Sequence, residues 1–306
     1  MTYNLFTTDR LQPPRISDAL ASCLHIELNS VDVADTDADQ EDRNWDALAL
    51  CDYSHVLGDV SLTLDIFVQD AVSQQPTEPE FASRFAVAAQ TVVLYPAEEQ
   101  VPSAYWLVTP TGSVTRARLL ASDDERPKYS IDAVETAVPQ LPGVRIMQLP
   151  EIVREQHVPV PATSEFIHAT EILRKSPEGL ADPALADEPG SHLYHSRAYL
   201  AEWERMVRRM ESGWHPTGKY PVDLYCEALL ARDRIEQLSE QLTRPVADLL
   251  RKSAGQLDET FKKCSTPDDV WAAEAGASGS LIDLSERGWW WHRKPLTHPW
   301  DKPNPK

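Results

Sequence analysis

The sequence predicts an α+β fold: a largely antiparallel sheet with helices on one face, followed by a C-terminal three-helix bundle and an irregular tail rich in tryptophan and proline. Three observations predict it. Apolar residues alternate strictly over 60–68, short helical stripes punctuate β-branched runs joined by tight turns, and beyond residue 190 the apolar period becomes three to four. Hydrophobic residues make up 42% of the 306 and charged residues 25%, the balance of a chain that buries a real core, at a length suited to two domains.

Residues 16–28 place Ile16, Leu20, Cys23 and Leu24 on one face behind Ser17 and Asp18, which suits a short amphipathic helix. An acidic loop follows. Val60, Leu62, Leu64, Ile66 and Val68 then mark one face of a strand, with Ser61, Thr63, Asp65 and Gln69 mostly on the other. Phe81, Phe85, Ala88 and Ala89 predict a helix over 80–90 that runs into a β-branched strand at 91–95. Segments 105–109 and 113–120 flank Pro110, Thr111 and Gly112, the pattern of a hairpin whose glycine supplies a positive φ. A last strand is expected at 144–149.

Prolines 159, 161, 177, 183 and 189 predict a linker over 159–190 between an acidic α+β domain, 1–158, and a helical bundle, 191–271. Bundle helices are expected from Tyr194 to Met210, from Val222 to Leu242, and from Thr243 onward with Pro245 in the first turn and Val246, Leu249, Leu250, Leu257 and Phe261 as its stripe. Residues 272–306 form the irregular tail.

Net charge is −19 and unevenly spread: residues 1–165 carry 26 Asp and Glu against 10 Lys and Arg. That field repels nucleic acid and anionic lipid and favours a basic protein partner. No apolar run approaches the ~20 residues that span a bilayer, and the start lacks the charged and apolar regions of an export signal. Cys23, Cys51, Cys226 and Cys264 are scattered without a C-x-x-C pair, which predicts reduced thiols rather than a disulfide framework or a zinc site. A cytoplasmic protein, with no membrane or nucleic-acid contact, is expected.

Motifs that would carry chemistry fail on mechanical grounds. Gly213 to Gly218-Lys219 has phosphate-loop spacing, but Tyr220 replaces the metal-binding hydroxyl, Pro216 removes a donor and a helix precedes it. Asp35, Asp37, Asp39 and Asp46 imitate a calcium loop whose turn position is Gln40 instead of glycine. His192 and His195 lack the companions of a zinc enzyme. No cofactor is expected. An enzyme, if present, would be a metal-dependent hydrolase using Asp59 or Glu98 and Glu99 near strand ends; Asp59 and Asp65 stand roughly 20 Å apart along a strand at ~3.3 Å per residue and cannot form one pair.

The tail residues Trp289, Trp290, Trp291 and Arg293 are the candidate binding group, because three adjacent indoles cannot all face one core and Trp and Arg dominate protein interfaces. Packing of this cationic, aromatic end onto the chain's own bundle or its acidic half is nevertheless the leading expectation, with a protein-partner anchor next.

Tyr225, the run Ala231, Arg232 and Asp233, the run Leu257 to Phe261, the step Thr266, Pro267 and Asp268, and Trp289 to Arg293 together resemble a helical module of uncharacterised actinobacterial proteins, over about the last 85 residues. The resemblance implies a bacterial cytoplasmic origin and carries no established activity with it. By layout alone the N-terminal half is similar to compact α+β immunity proteins and effector chaperones. The expected function is therefore a non-enzymatic interaction protein of the immunity type with a basic partner, against two alternatives: the hydrolase above, or a structural subunit of a larger assembly.

Overall fold

The computed structural model describes residues 1–39, 41, 43–97, 100–176, 185–268, 270–271 and 287–300. The chain divides into two compact units, Met1–Gln156 and His157–Lys306, and it is α+β as the sequence predicts.

The first unit runs β1 (Thr2–Thr7), α1 (Pro13–Leu24), β2 (Val31–Asp35), β3 (Ala49–His55), β4 (Leu57–Gly58), β5 (Leu62–Val68), α2 (Glu78–Ala89), β6 (Val93–Pro96), β7 (Ala104–Val108), β8 (Val114–Ala121), β9 (Lys128–Val134), β10 (Arg145–Ile146) and α3 (Pro150–Glu155). The strands form one sheet in the order β10-β9-β8-β7-β6-β1-β5-β3-β2, with β4 on β9. Pairing is antiparallel except between β2 and β3, β9 and β10, and β4 and β9. Alternation decides the layers: Tyr3, Leu5, Leu62, Leu64, Ile66, Ala49 and Cys51 face α1 and α2, where Tyr3 stacks on Phe81 at 4.0 Å. Helix α2 starts as its sequence advertises, with the Thr77 N–H donating to the Glu80 carboxylate at 3.0 Å and Pro79 in the first turn. The hairpin turn sits on Gly112 at φ 82°.

The other side of the sheet is half core and half open. Near β6 to β9 it curls around a second apolar cluster containing Val60, Leu94, Leu107, Leu119 and Ile131. The short strand β4, inside the β3–β5 connection, closes that curl against β9, pairing Leu57 with Lys128 and Gly58 with Tyr129. This corrects one reading of the sequence. Val60 lies in the second cluster and Leu62 in the first, so the chain crosses between faces at 59–61 and the strand begins at Leu62, although the alternation looks unbroken. Beneath α3, Arg116 pairs with Glu135 at 2.8 Å and reaches Gln156 at 2.6 Å, its guanidinium 5.0 Å from the Trp106 ring.

The second unit holds α4 (Pro161–Arg174), α5 (His192–Glu211), α6 (Val222–Gln241), α7 (Arg244–Cys264), β11 (Ser265–Pro267), a 3-10 turn (Trp289–His292) and β12 (Arg293–Pro295). Helices α5, α6 and α7 pack on one another around Trp203, Tyr225, Leu250 and Phe261, with Trp203 and Phe261 ring centroids 4.9 Å apart. Leu250 is fully buried, whereas its stripe neighbour Leu249 is only half-buried.

Two expectations are corrected here. Among the described residues the helical part contains four helices instead of three, because α4 lies in the segment assigned to a linker and packs against α5 and α7. Its Pro161 stands in the first turn, where a proline N–H is not needed, so the residue read as a break is a start. Glu204 of α5, fully buried, accepts the Ala162 and Thr163 N–H groups at 2.9 and 2.8 Å and the Thr163 hydroxyl at 2.8 Å, doing from a neighbouring helix what an N-cap side chain does locally. The tail is also less irregular than expected over 287–300: β12 pairs antiparallel with β11. Residues 177–184, 272–286 and 301–306 of the expected linker and tail lie outside the described residues.

Candidate functional site

The open half of the sheet is built by β2, β3, β5 and β1. On each, the residues between the core positions point away from α1 and α2, which brings Asp32, Asp52, Asp65 and Phe67 to one face. Asp52 and Asp65 are direct cross-strand partners. Side chains so placed have Cβ atoms about 4.5–5.5 Å apart, and like charges there oppose folding. The crossover between parallel β2 and β3 carries Arg43 onto this face: Nε donates to Asp32 at 2.7 Å, Nη1 to Asp52, and the guanidinium lies 4.7 Å from the Trp45 ring. Burial opposes the Arg43 charge, but hydrogen bonds to Asp32 and Asp52 overcome it and hold its pKa above the usual value.

One cation therefore serves two of three carboxylates. Asp65 has no hydrogen-bond or ion-pair partner among the described residues. Two large aromatics here are not buried, Phe67 beside Asp65 on β5 at 48% and Trp45 against the Arg43 guanidinium at 58% exposure. Sequence reasoning placed Asp65 off the core face but missed Arg43, Trp45, Asp52 and Phe67, since β2, β3 and their crossover give no clean alternation.

The sequence candidates fall elsewhere. Asp59 lies between β4 and β5, not on a strand; its carboxylate accepts the Ile131 N–H at 2.8 Å and its own N–H donates to Tyr129 O at 2.8 Å. Those bonds close the curl, so the side chain is committed to the fold. Gly58 beside it has φ 118°, and a Cβ there would sit 1.8 Å from Tyr129 O. Glu98 and Glu99 lie outside the described residues. Asp35 and Asp39 accept the N–H groups of Asp37 and Glu41 at 3.0 Å, as turn formers do. The Gly213 loop joins α5 to α6 and spends the N–H groups of Trp214 and Gly218 on Arg209 and Trp214 carbonyls.

Trp289, Trp290, Trp291 and Arg293 are distributed over the second unit. Trp290 and Trp291 are buried, and both indole N–H groups donate to Asp233, at 2.8 and 3.0 Å, alongside Arg287 at 2.7 Å. Arg232 lies 4.2 Å over the Trp290 ring and grips Asp258 through Nε and Nη2 at 3.0 and 2.8 Å. Arg293 donates to the carbonyls of Lys262 and Ser265, at the last turn of α7, where a cation meets the negative helix end. Only Trp289, at 36% exposure, keeps a free flank. The residues that carry the module resemblance thus meet in one network: Tyr225 donates to Arg293 O at 3.4 Å, Asp268 pairs with Lys294, and Phe261 lies 6.0 Å from Trp289.

Between α1 and α2 runs a shallow groove of about 560 Å³ with Cys23, His25 and Arg84 along it. Burial pushes the Cys23 thiol up to about 12, against the pull of Arg84, and burial does the same to Cys226. Neither is a nucleophile at neutral pH. No group of three or more His, Cys, Asp and Glu among the described residues is arranged to hold a metal ion, and no described helix is long and apolar enough to cross a membrane. Comparison with known proteins brings no matching family model, no matching curated protein and no matching solved structure.

Proposed function

We propose that the chain is a non-enzymatic, cytoplasmic protein-binding protein, an inhibitor of the immunity type, whose open acidic face engages a basic partner. The observation that carries this reading is the opposed pair Asp52 and Asp65, with exposed Phe67 beside Asp65 and exposed Trp45 against Arg43. Aromatic anchors beside uncompensated charge are what a steered interface uses, the charge for encounter and orientation and the rings for desolvated contact. The acidic excess of residues 1–165 extends that field over about 10 Å at 0.1 M salt.

The test is to capture the partner by pull-down from the native host and measure its affinity from about 50 to 500 mM salt, with and without a chelator. Affinity should fall steeply with salt, ignore the chelator, and drop on replacing Trp45 and Phe67 together by alanine. Salt-independent binding, or a hydrolytic turnover that the chelator abolishes and metal restores, would overturn it.

A further inference from the structure

We infer that the outer edge of β2 takes up an extended segment of a basic partner as an added antiparallel strand. This deepens the binding reading above and rests on it. The first support is the direction of the backbone groups along that edge. The Thr36 N–H donates to Tyr53 O at 3.0 Å, so the even-numbered residues of β2 face β3, while Val31, Val33 and Asp35 turn their N–H and C=O groups outward. The chain itself uses the two ends of the edge: the Val31 N–H donates to Leu28 O, and Asp35 O accepts the Ala38 N–H at 3.0 Å. Between them, the N–H and C=O of Val33 have no partner among the described residues. They are the donor and acceptor that one residue of an antiparallel strand satisfies together. The opposite edge of the sheet, β10, is two residues long, one of the ways an edge is blunted, whereas β2 spans five.

The second support is that the layer under α1 stops short at this edge. Val31 and Val33 pack against the core beneath α1 and are only half-buried, and Leu28, at the start of the edge, is 52% exposed. A strand added at about 4.8 Å lays an apolar side chain beside Val33 and extends that layer. On the open face, Asp32 and Ala34 of β2 stand next to Asp52 of β3, and Asp37 and Asp39 follow the strand. A second copy of this chain would set two such acidic edges against each other, whereas lysine or arginine on that face of the incoming strand complements them. The occupant therefore alternates, apolar toward α1 and basic toward Asp32: backbone bonds supply the affinity and alternate side chains the choice of partner.

The experiment titrates the full chain by calorimetry at ~150 mM salt with a capped peptide, Lys-Val-Lys-Val-Lys-Val-Lys. The control peptide carries a methyl group on each valine nitrogen, which keeps the charge and removes the donors that face Val33. The unmodified peptide should bind about ten-fold tighter, the worth of a backbone bond or two. Hydrogen exchange at the Val33 amide, followed by NMR, should slow by about ten-fold or more with the unmodified peptide and stay unchanged with the methylated one. Val33→Pro, which removes the outward N–H and no bond to β3, should erase the difference between the peptides; the two peptides on the unaltered chain give the answer even where that variant folds poorly.

Equal affinity for the two peptides, or Val33 exchange that the unmodified peptide leaves unchanged, would overturn the added-strand inference and leave the general acidic-face reading standing. Sedimentation as a dimer that Val33→Pro returns to a monomer would overturn it too, by placing a second copy on the edge. Binding of neither peptide even at ~50 mM salt would overturn both.

Discussion

Replacing Asp233 by alanine should cost the second unit about 2–5 kcal/mol, because that carboxylate is the common acceptor for the tail. Two buried indole N–H groups, from Trp290 and Trp291, lose their acceptor, and each buried unsatisfied donor costs roughly 1–3 kcal/mol. The Arg287 bond adds under about 1 kcal/mol, since that side chain is 36% exposed and screened. Asp233→Asn separates geometry from charge. Its amide oxygen can still accept both indoles, so only the charge assistance is lost, about 1 kcal/mol. Urea unfolding followed by tryptophan fluorescence suits the question, because seven of the nine tryptophans lie beyond residue 157. A loss below about 0.5 kcal/mol for Asp233→Ala, or equal losses for the two variants, would show that the tail does not depend on this carboxylate.

Asp59→Ala should destabilise the first unit by about 1–2 kcal/mol by freeing the Ile131 N–H, while Asp59→Asn, which keeps an acceptor, stays within about 0.5 kcal/mol of wild type in the same unfolding assay. Glu204→Ala should cost about 3 kcal/mol and abolish hydrogen-exchange protection in α4 ahead of α5 to α7, since it strands the Ala162 and Thr163 N–H groups. The Asp268 carboxyl is held below its usual pKa by Lys294 and, next, by the Val270 N–H. A depressed folded-state pKa gives stability that is present above the unfolded value of ~4 and lost as pH falls through the folded one. Urea midpoints should therefore fall below about pH 4 by less in Asp268→Asn than in wild type, and parallel pH curves would contradict the pairing.

The strands and helices with a clean period were legible: β5, α2, the β7–β8 hairpin, α5 and α6. What was not legible has identifiable causes. Pro161 was read as part of a linker, yet it stands in a first helical turn, as Pro13, Pro79 and Pro150 also do and as the sequence indicated for Pro245. The same residue means linker or helix start depending on what satisfies the next N–H groups, and for α4 that acceptor is Glu204, 41 and 42 positions away from the donors. Strands β2 and β3 run parallel through a crossover whose Arg43 bonds Asp32 on one strand and Asp52 on the other, so no local turn signal announces them. The bend at 59–61 preserves alternation while exchanging faces, a change visible only once two separate cores exist.

Charge was the most misleading quantity, because a sequence counts acids without showing what they hold. Asp59, Glu204, Asp233 and Asp258 are acidic residues spent on the fold, each accepting from named backbone, indole or guanidinium donors. Removing any of them subtracts stability. Asp65 is of another kind: it faces a second carboxylate with no cation of its own among the described residues, so its removal should add stability. Under the proposed binding role, a group that costs folding free energy beside the exposed Phe67 would find its compensation in a partner, which makes the Asp52 and Asp65 pair a more local pointer than the net charge of −19. In that proposed role the net charge would set how far away a basic partner is felt. In the same reading the unpaired carboxylate would mark where it docks.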